Sequence, residues 1–130
     1  MKIMTSLAAI TLGFAAPAAA QGAAGGMGQM PVGKQVNITG TVIDISCKFG
    51  QGLSGESHRM CSQVCADNGL PLAILGSDGK LYIPTTTEMP GKGQDDRLKP
   101  FAEQQVKVTG KVFAAAGAQA IQIATIAAER

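Results

Sequence analysis

"QVNITGTV" at Gln35–Val42 and "QVKVTGKV" at Gln105–Val112 are near copies, matching at Gln, Val, Thr, Gly and Val. Both alternate apolar and polar residues, the period of a strand with one buried face. Both also carry an internal glycine, Gly40 and Gly110, and a glycine inside a strand marks a bulge or a close backbone approach. Eight residues are too few to be a duplicated domain. The copies instead meet one physical demand twice: alternate burial interrupted by a tight bend.

Outward from these segments, "QVNITGTVIDISC" extends the first strand to Cys47. "LPLAILG" and "KLYIPTT" are short β-rich runs joined by "SDG", and Asp78-Gly79 is a strong hairpin turn. In "GKGQDDRLKPFAEQ", Asp95 or Asp96 is placed to cap a short helical turn that carries Leu98 and Phe101 and is limited by Pro100. The last two strands flank "AGAQ", with Val106, Val108, Ile121, Ile123 and Ile126 pointing inward. Five strands with a helix between the third and fourth is the layout of an OB-fold, a small all-β Greek-key barrel whose first strand bends into both halves. A helical Cys/His insert, residues 47–69, lies between strands 1 and 2. The V-x-[IV]-T-G-x-V strands and the final "AIQIATI" resemble secreted bacterial OB-fold proteins, the BOF-like group, over about residues 34–128. That resemblance implies the barrel and brings no defined chemistry, and the insert departs from the plain members of the group. Asp44, Cys47, His58, Cys61, Cys65, Gly79 and Tyr82 also resemble a D-x-x-C, H-x-x-C-x-x-x-C, G-x-x-Y arrangement of exported bacterial proteins to which no established activity attaches.

Residues 1–20, "MKIMTSLAAITLGFAAPAAA", read as a signal peptide: Lys2 precedes an apolar run, and Ala18 and Ala20 satisfy the A-x-A rule for cleavage after Ala20. The run is too short for a membrane span, which needs roughly 18 or more apolar residues, and no later segment qualifies. We therefore expect a periplasmic protein. Residues 21–33 form a flexible Gly/Ala/Met-rich leader, whose Met27 and Met30 are weak candidates for Cu(I), and residues 34–130 form the domain. Cleavage removes Lys2 and takes the net charge from +2 to +1, too little to indicate a polyanionic partner. Tryptophan is absent and only one tyrosine is present, so the core must be aliphatic. Single-strand nucleic-acid binding by aromatic stacking is correspondingly disfavoured. Lys34, Lys107 and Lys111 with Tyr82 offer at most a weak ligand face.

"HRMCSQVC" at His58–Cys65, with Cys47, holds every cysteine and the only histidine of the chain. "GESHRMCSQVCADNG" reads as a helix capped by Ser54 or Ser57 and ended by Asn68-Gly69. At about 100° per residue, positions 58, 61 and 65 share one face, yet His58 and Cys65 stand about 10.5 Å apart along a regular helix. One ion cannot reach both without distorting the segment. Cys47 with Cys61 and either His58 or Cys65 needs no distortion, and such a soft set suits zinc or copper(I). A disulfide from Cys47 to Cys61 or Cys65 fits an oxidising compartment equally well, with one thiol left over. Three reduced structural cysteines are the remaining alternative. Asp44 either orients His58 or satisfies backbone groups at the strand end, and we read the second.

The functional expectation is a non-enzymatic, exported domain with a metal site at Cys47, His58, Cys61 and Cys65. Its alternatives are a disulfide-stapled binding module for a sugar, peptide or envelope component, and more remotely a thiol redox protein. The sequence names neither the periplasmic partner nor the oligomeric state.

Overall fold

A computed structural model describes residues 31–130. The expected signal peptide and all but the last three residues of the leader, Met27 and Met30 included, lie outside the described residues. Five strands, β1 (Lys34–Asp44), β2 (Leu72–Gly76), β3 (Leu81–Pro84), β4 (Gln105–Ala115) and β5 (Ala118–Ala128), close into a barrel in the order β1-β2-β3-β5-β4. All neighbours are antiparallel except β3 and β5, whose parallel pairing closes the ring. This is the five-stranded barrel that the strand order implied.

The repeated segments are partners. β1 runs antiparallel to β4, with Val36 opposite Gly110, Ile38 opposite Val108 and Gly40 opposite Val106. The two copies are thus related by a local two-fold through Ile38 and Val108, and each glycine faces the other copy's first valine. From Gly40 the first strand also pairs with β2, from Gly40↔Gly76 to Asp44↔Leu72, while its ladder to β4 ends at Thr41↔Gln105. A Cβ on Gly40 would stand 2.6 Å from the Leu75 carbonyl oxygen and 2.9 Å from Gly76 Cα. A Cβ on Gly110 would meet the Gln122 carbonyl, and here the β4–β5 register shifts between Thr109 and Gly110. Both glycines serve close approach of a neighbouring backbone, which is why the sequence repeats them.

The core is aliphatic: Val42, Ile74, Leu98, Val106, Val108 and Ile121 are fully buried, with Ile126 and Phe101 packed against them. Leu98 comes from the short helix α3 (Asp95–Leu98), which continues as a 3₁₀ turn over Lys99–Phe101. Here one expectation is corrected. Neither aspartate caps this helix, and Asp95 Oδ1 instead accepts from Leu72 N at 2.9 Å, tying the helix to the start of β2. The β2–β3 turn forms at Asp78-Gly79 as expected, with Gly79 N donating to Gly76 O at 2.9 Å. Tyr82 is buried, and its hydroxyl donates to Asp78 Oδ2 at 2.8 Å.

Two stability predictions follow from these contacts. Gly40→Ala and Gly110→Ala should each lose about 1–3 kcal/mol, since the backbone must move to admit a methyl group. Gly50→Ala should instead gain about 0.5–1 kcal/mol, because Gly50 is an exposed helical position with open space around it. Urea unfolding of the three variants checks both signs. The Tyr82–Asp78 bond gives a pH signature: Asp78 is held below its usual range chiefly by the tyrosine hydroxyl, and burial followed by Asp78 pushes Tyr82 up. The aspartate's contribution is present above the unfolded carboxylate range and is lost as pH falls through its depressed value. The tyrosine's is present below its unfolded value, about 10, and is lost as pH rises through its raised one. Tyr82→Phe should therefore lower stability most near neutrality and flatten both limbs of the pH–stability curve.

Candidate metal centre

The insert is built on Asp44. The expected first strand, extended to Cys47, is corrected: it stops at Asp44, whose Oδ1 accepts from Cys47 N at 3.0 Å. That contact N-caps a helix, α1 (Ile45–Gln51), so the D-x-x-C spacing is a helix start. It places Cys47 in the first turn, 5% exposed. Of the two roles weighed for Asp44, backbone satisfaction is the one Oδ1 performs.

The second half is not one helix capped by a serine. A 3₁₀ turn over Glu56–His58 precedes α2 (Arg59–Asp67), and Gly55 supplies the N-cap position without a side-chain bond. Ser54 Oγ accepts from Lys48 Nζ at 3.0 Å instead. The end is as expected: Gly69 N donates to Ala66 O and Leu70 N to Cys65 O, both at 3.0 Å, with Gly69 at φ 83°. This pair of bonds is the Schellman closure that Asn68-Gly69 predicts.

α2 is fastened to the segment before β4. Arg59 Nη2 donates to Pro100 O at 3.0 Å, Gln63 Nε2 to Lys99 O at 3.2 Å, and Lys99 pairs with Asp67. Glu103 Oε2 accepts from Gly55 N at 2.7 Å. Glu103 sits at φ 58° and is 7% exposed. Sequence reasoning missed this residue, because a carboxylate just ahead of a strand carries no periodic signal.

Two helices thus deliver the thiols, Cys47 on α1 and Cys61 and Cys65 one turn apart on α2. The three Sγ atoms lie within 4.8 Å of one another, and all three cysteines are free thiols. Cys47 is buried, Cys65 half-buried and Cys61 exposed. A ring nitrogen of His58, a carboxylate oxygen of Asp44 and Cys47 Sγ form a second triangle of the same size, with all three residues buried. His58 therefore groups with Cys47 and Asp44 and not with the thiols of α2. The helical rise accounts for its separation from Cys65, whereas its separation from Cys61 is a correction to the expected Cys47–Cys61–His58 set. The chemistry of the first set, three thiols gathered within 4.8 Å of one another, fits a soft ion.

Asp44 sets the electrostatics. Burial raises its own pKa, but the Cys47 N–H and the nearby thiols of Cys65 and Cys47 outweigh it and hold the carboxyl low. Among the described residues, no donor meets Asp44 Oδ2 in hydrogen-bonding geometry. In turn the carboxylate, with burial second, pushes the Cys65 thiol up to about 12. Cys47 is raised first by burial and then by Asp44.

The residues of the weak ligand face do not assemble with the cluster. Tyr82 is buried, whereas Lys107 and Lys111 are exposed on β4 and Lys107 Nζ lies 3.4 Å from Glu129. Lys34 is exposed at the start of β1. Comparison of the chain with protein-family models, curated proteins and solved structures gave no match. Function is therefore argued from geometry. Among the described residues, no helix is long and apolar enough to cross a membrane.

In reduced, metal-free protein, Cys61 should alkylate first, Cys65 more slowly and Cys47 slowest. Asp44→Asn retains an N-cap and removes the main cause of the Cys65 shift. It should accelerate Cys65 by about three- to fourfold for each unit its pKa falls, the roughly tenfold gain in thiolate being partly offset by lower nucleophilicity, while leaving Cys47, protected mainly by burial, slow. Peptide-resolved labelling at pH 8 reads both effects.

Proposed function

We propose that this chain is a non-enzymatic, exported barrel that handles a soft metal ion, Zn(II) or Cu(I), on the three thiolates of Cys47, Cys61 and Cys65. The observation that carries the reading is the approach of three sulfurs from two separately anchored helices to within 4.8 Å. Thiolates are the preferred ligands of both ions, and three of them suit trigonal Cu(I) or zinc with an open fourth position. A closed structural site would bury its ligands. Here Cys61 is exposed, and Met60 and Val64, one helical turn apart, are 78% and 54% exposed beside it. An ion with one accessible ligand and an apolar margin is placed for exchange with a periplasmic partner, which favours metal handling over a purely structural role.

Metal analysis of protein isolated anaerobically from the exported fraction tests the reading. We expect close to one equivalent or more of zinc or copper in the native protein. Cys47→Ser should lower affinity beyond the roughly 10–100-fold typical of losing an outer-shell partner. Metal-free protein with Cys47 oxidised onto Cys61 or Cys65 would sink the proposal. It would favour a disulfide-stapled binding module, which the same sulfur approach could also serve.

A further inference from the structure

Cys47 belongs to a second triangle that the three-thiolate site leaves unused. Its other corners are Asp44 and His58, and the donor atoms lie within 4.8 Å of one another. Asp44 is 1% and His58 7% exposed. Each carries a buried polar atom without a hydrogen-bond partner, Asp44 Oδ2 and His58 Nε2. An unpartnered buried polar atom costs about 1–3 kcal/mol, and here two of them belong to residues grouped with one thiol. The capping bond occupies Oδ1 alone, so the carboxylate keeps its place in the fold while its second oxygen stays free to ligate.

We infer that the cluster is a two-position site: a second ion of the Zn(II) class sits in the Asp44–Cys47–His58 triangle, with Cys47 as the thiolate shared by both positions. The donors decide the ion. One oxygen, one nitrogen and one sulfur are a common zinc ligand mix, whereas Cu(I) prefers the all-sulfur triangle. A thiolate sulfur has lone pairs enough to bridge two cations, and Cys47 is the residue that both triangles contain. The outer position is exposed through Cys61 and the inner one is enclosed, so the two should differ in exchange rate. This inference rests on the three-thiolate reading, and the test separates their failures.

Reduced, metal-free protein is titrated anaerobically with Co(II) and with Zn(II), and bound ions are counted by native mass spectrometry. Wild type should hold two ions. His58→Gln and Asp44→Asn should each hold one and keep the sulfur-to-Co(II) charge-transfer absorption of the outer site. The double variant Cys61→Ser/Cys65→Ser should also hold one, released to a chelator more slowly than the outer ion of wild type. A wild-type count of one that survives His58→Gln overturns the inner position and leaves the three-thiolate site intact. A single ion lost in His58→Gln, or two ions kept in it, also overturns the inference. No bound ion in wild type overturns both readings. Circular dichroism of the metal-free variants confirms folding, and the wild-type count decides even where a variant fails to fold.

Discussion

The hydrogen bond from Cys47 N to Asp44 Oδ1 is the joint on which the molecule turns. It ends β1, starts α1 and fixes the buried thiol that both donor triangles share. Val42, Ile43 and Asp44 are buried in succession, so this end of the strand is covered on both faces and the joint cannot swing into solvent. A barrel strand that stops against a side-chain cap converts the stiffness of the sheet into a fixed sulfur position. Cys61 and Cys65 are held by a different frame, the bonds from α2 to Lys99 and Pro100 and from Gly55, ahead of it, to Glu103. The sulfur cluster forms because both frames are attached to one closed barrel.

The barrel was legible in the sequence because its constraints are periodic and local. Alternation gave the inward faces of β4 and β5, and the repeated Thr-Gly located the two places where backbones crowd. Their pairing about Ile38 and Val108 was not legible, since a pattern states what each strand needs and is silent on which strand supplies it. The insert was read less well. Asp44 looked like the interior of a strand because Val42, Ile43 and Ile45 continue the apolar run, and only the side-chain cap decides that the helix wins. A helix from Ser54 or Ser57 was the natural expectation from capping propensity, yet Gly55 takes the N-cap position and Glu103, nearly fifty residues away, accepts its N–H. Tertiary anchoring overrode the local signal.

The separation of His58 from Cys65 holds although the local structure is not the expected one. His58 lies in a 3₁₀ turn ahead of α2 and not inside a regular helix, but the separation from Cys65 still directs it to a different set of donors. What the sequence could not supply was the role of Asp44's second oxygen, which depends on α1 placing the carboxylate against the thiols.

Among the described residues, four buried side-chain atoms lack hydrogen-bond partners: Asp44 Oδ2, His58 Nε2, Ser62 Oγ and Glu103 Oε1. Asp44 caps the insert, His58 and Ser62 lie within it, and Glu103 holds it at Gly55. None belongs to the sheet's own core. At about 1–3 kcal/mol each, they weigh heavily against a net stability of about 5–15 kcal/mol for a domain. Had the cysteines served only to pack the insert, apolar residues at positions 58 and 62 would have done so without that penalty. Violations of polar satisfaction gathered around the insert mark a place where a fold gives up stability for function. Two of the four atoms belong to residues of the inner donor triangle. A cation bound there would satisfy both and tighten the joint between barrel and insert, so that metal occupancy and the order of the insert become a single property of this protein.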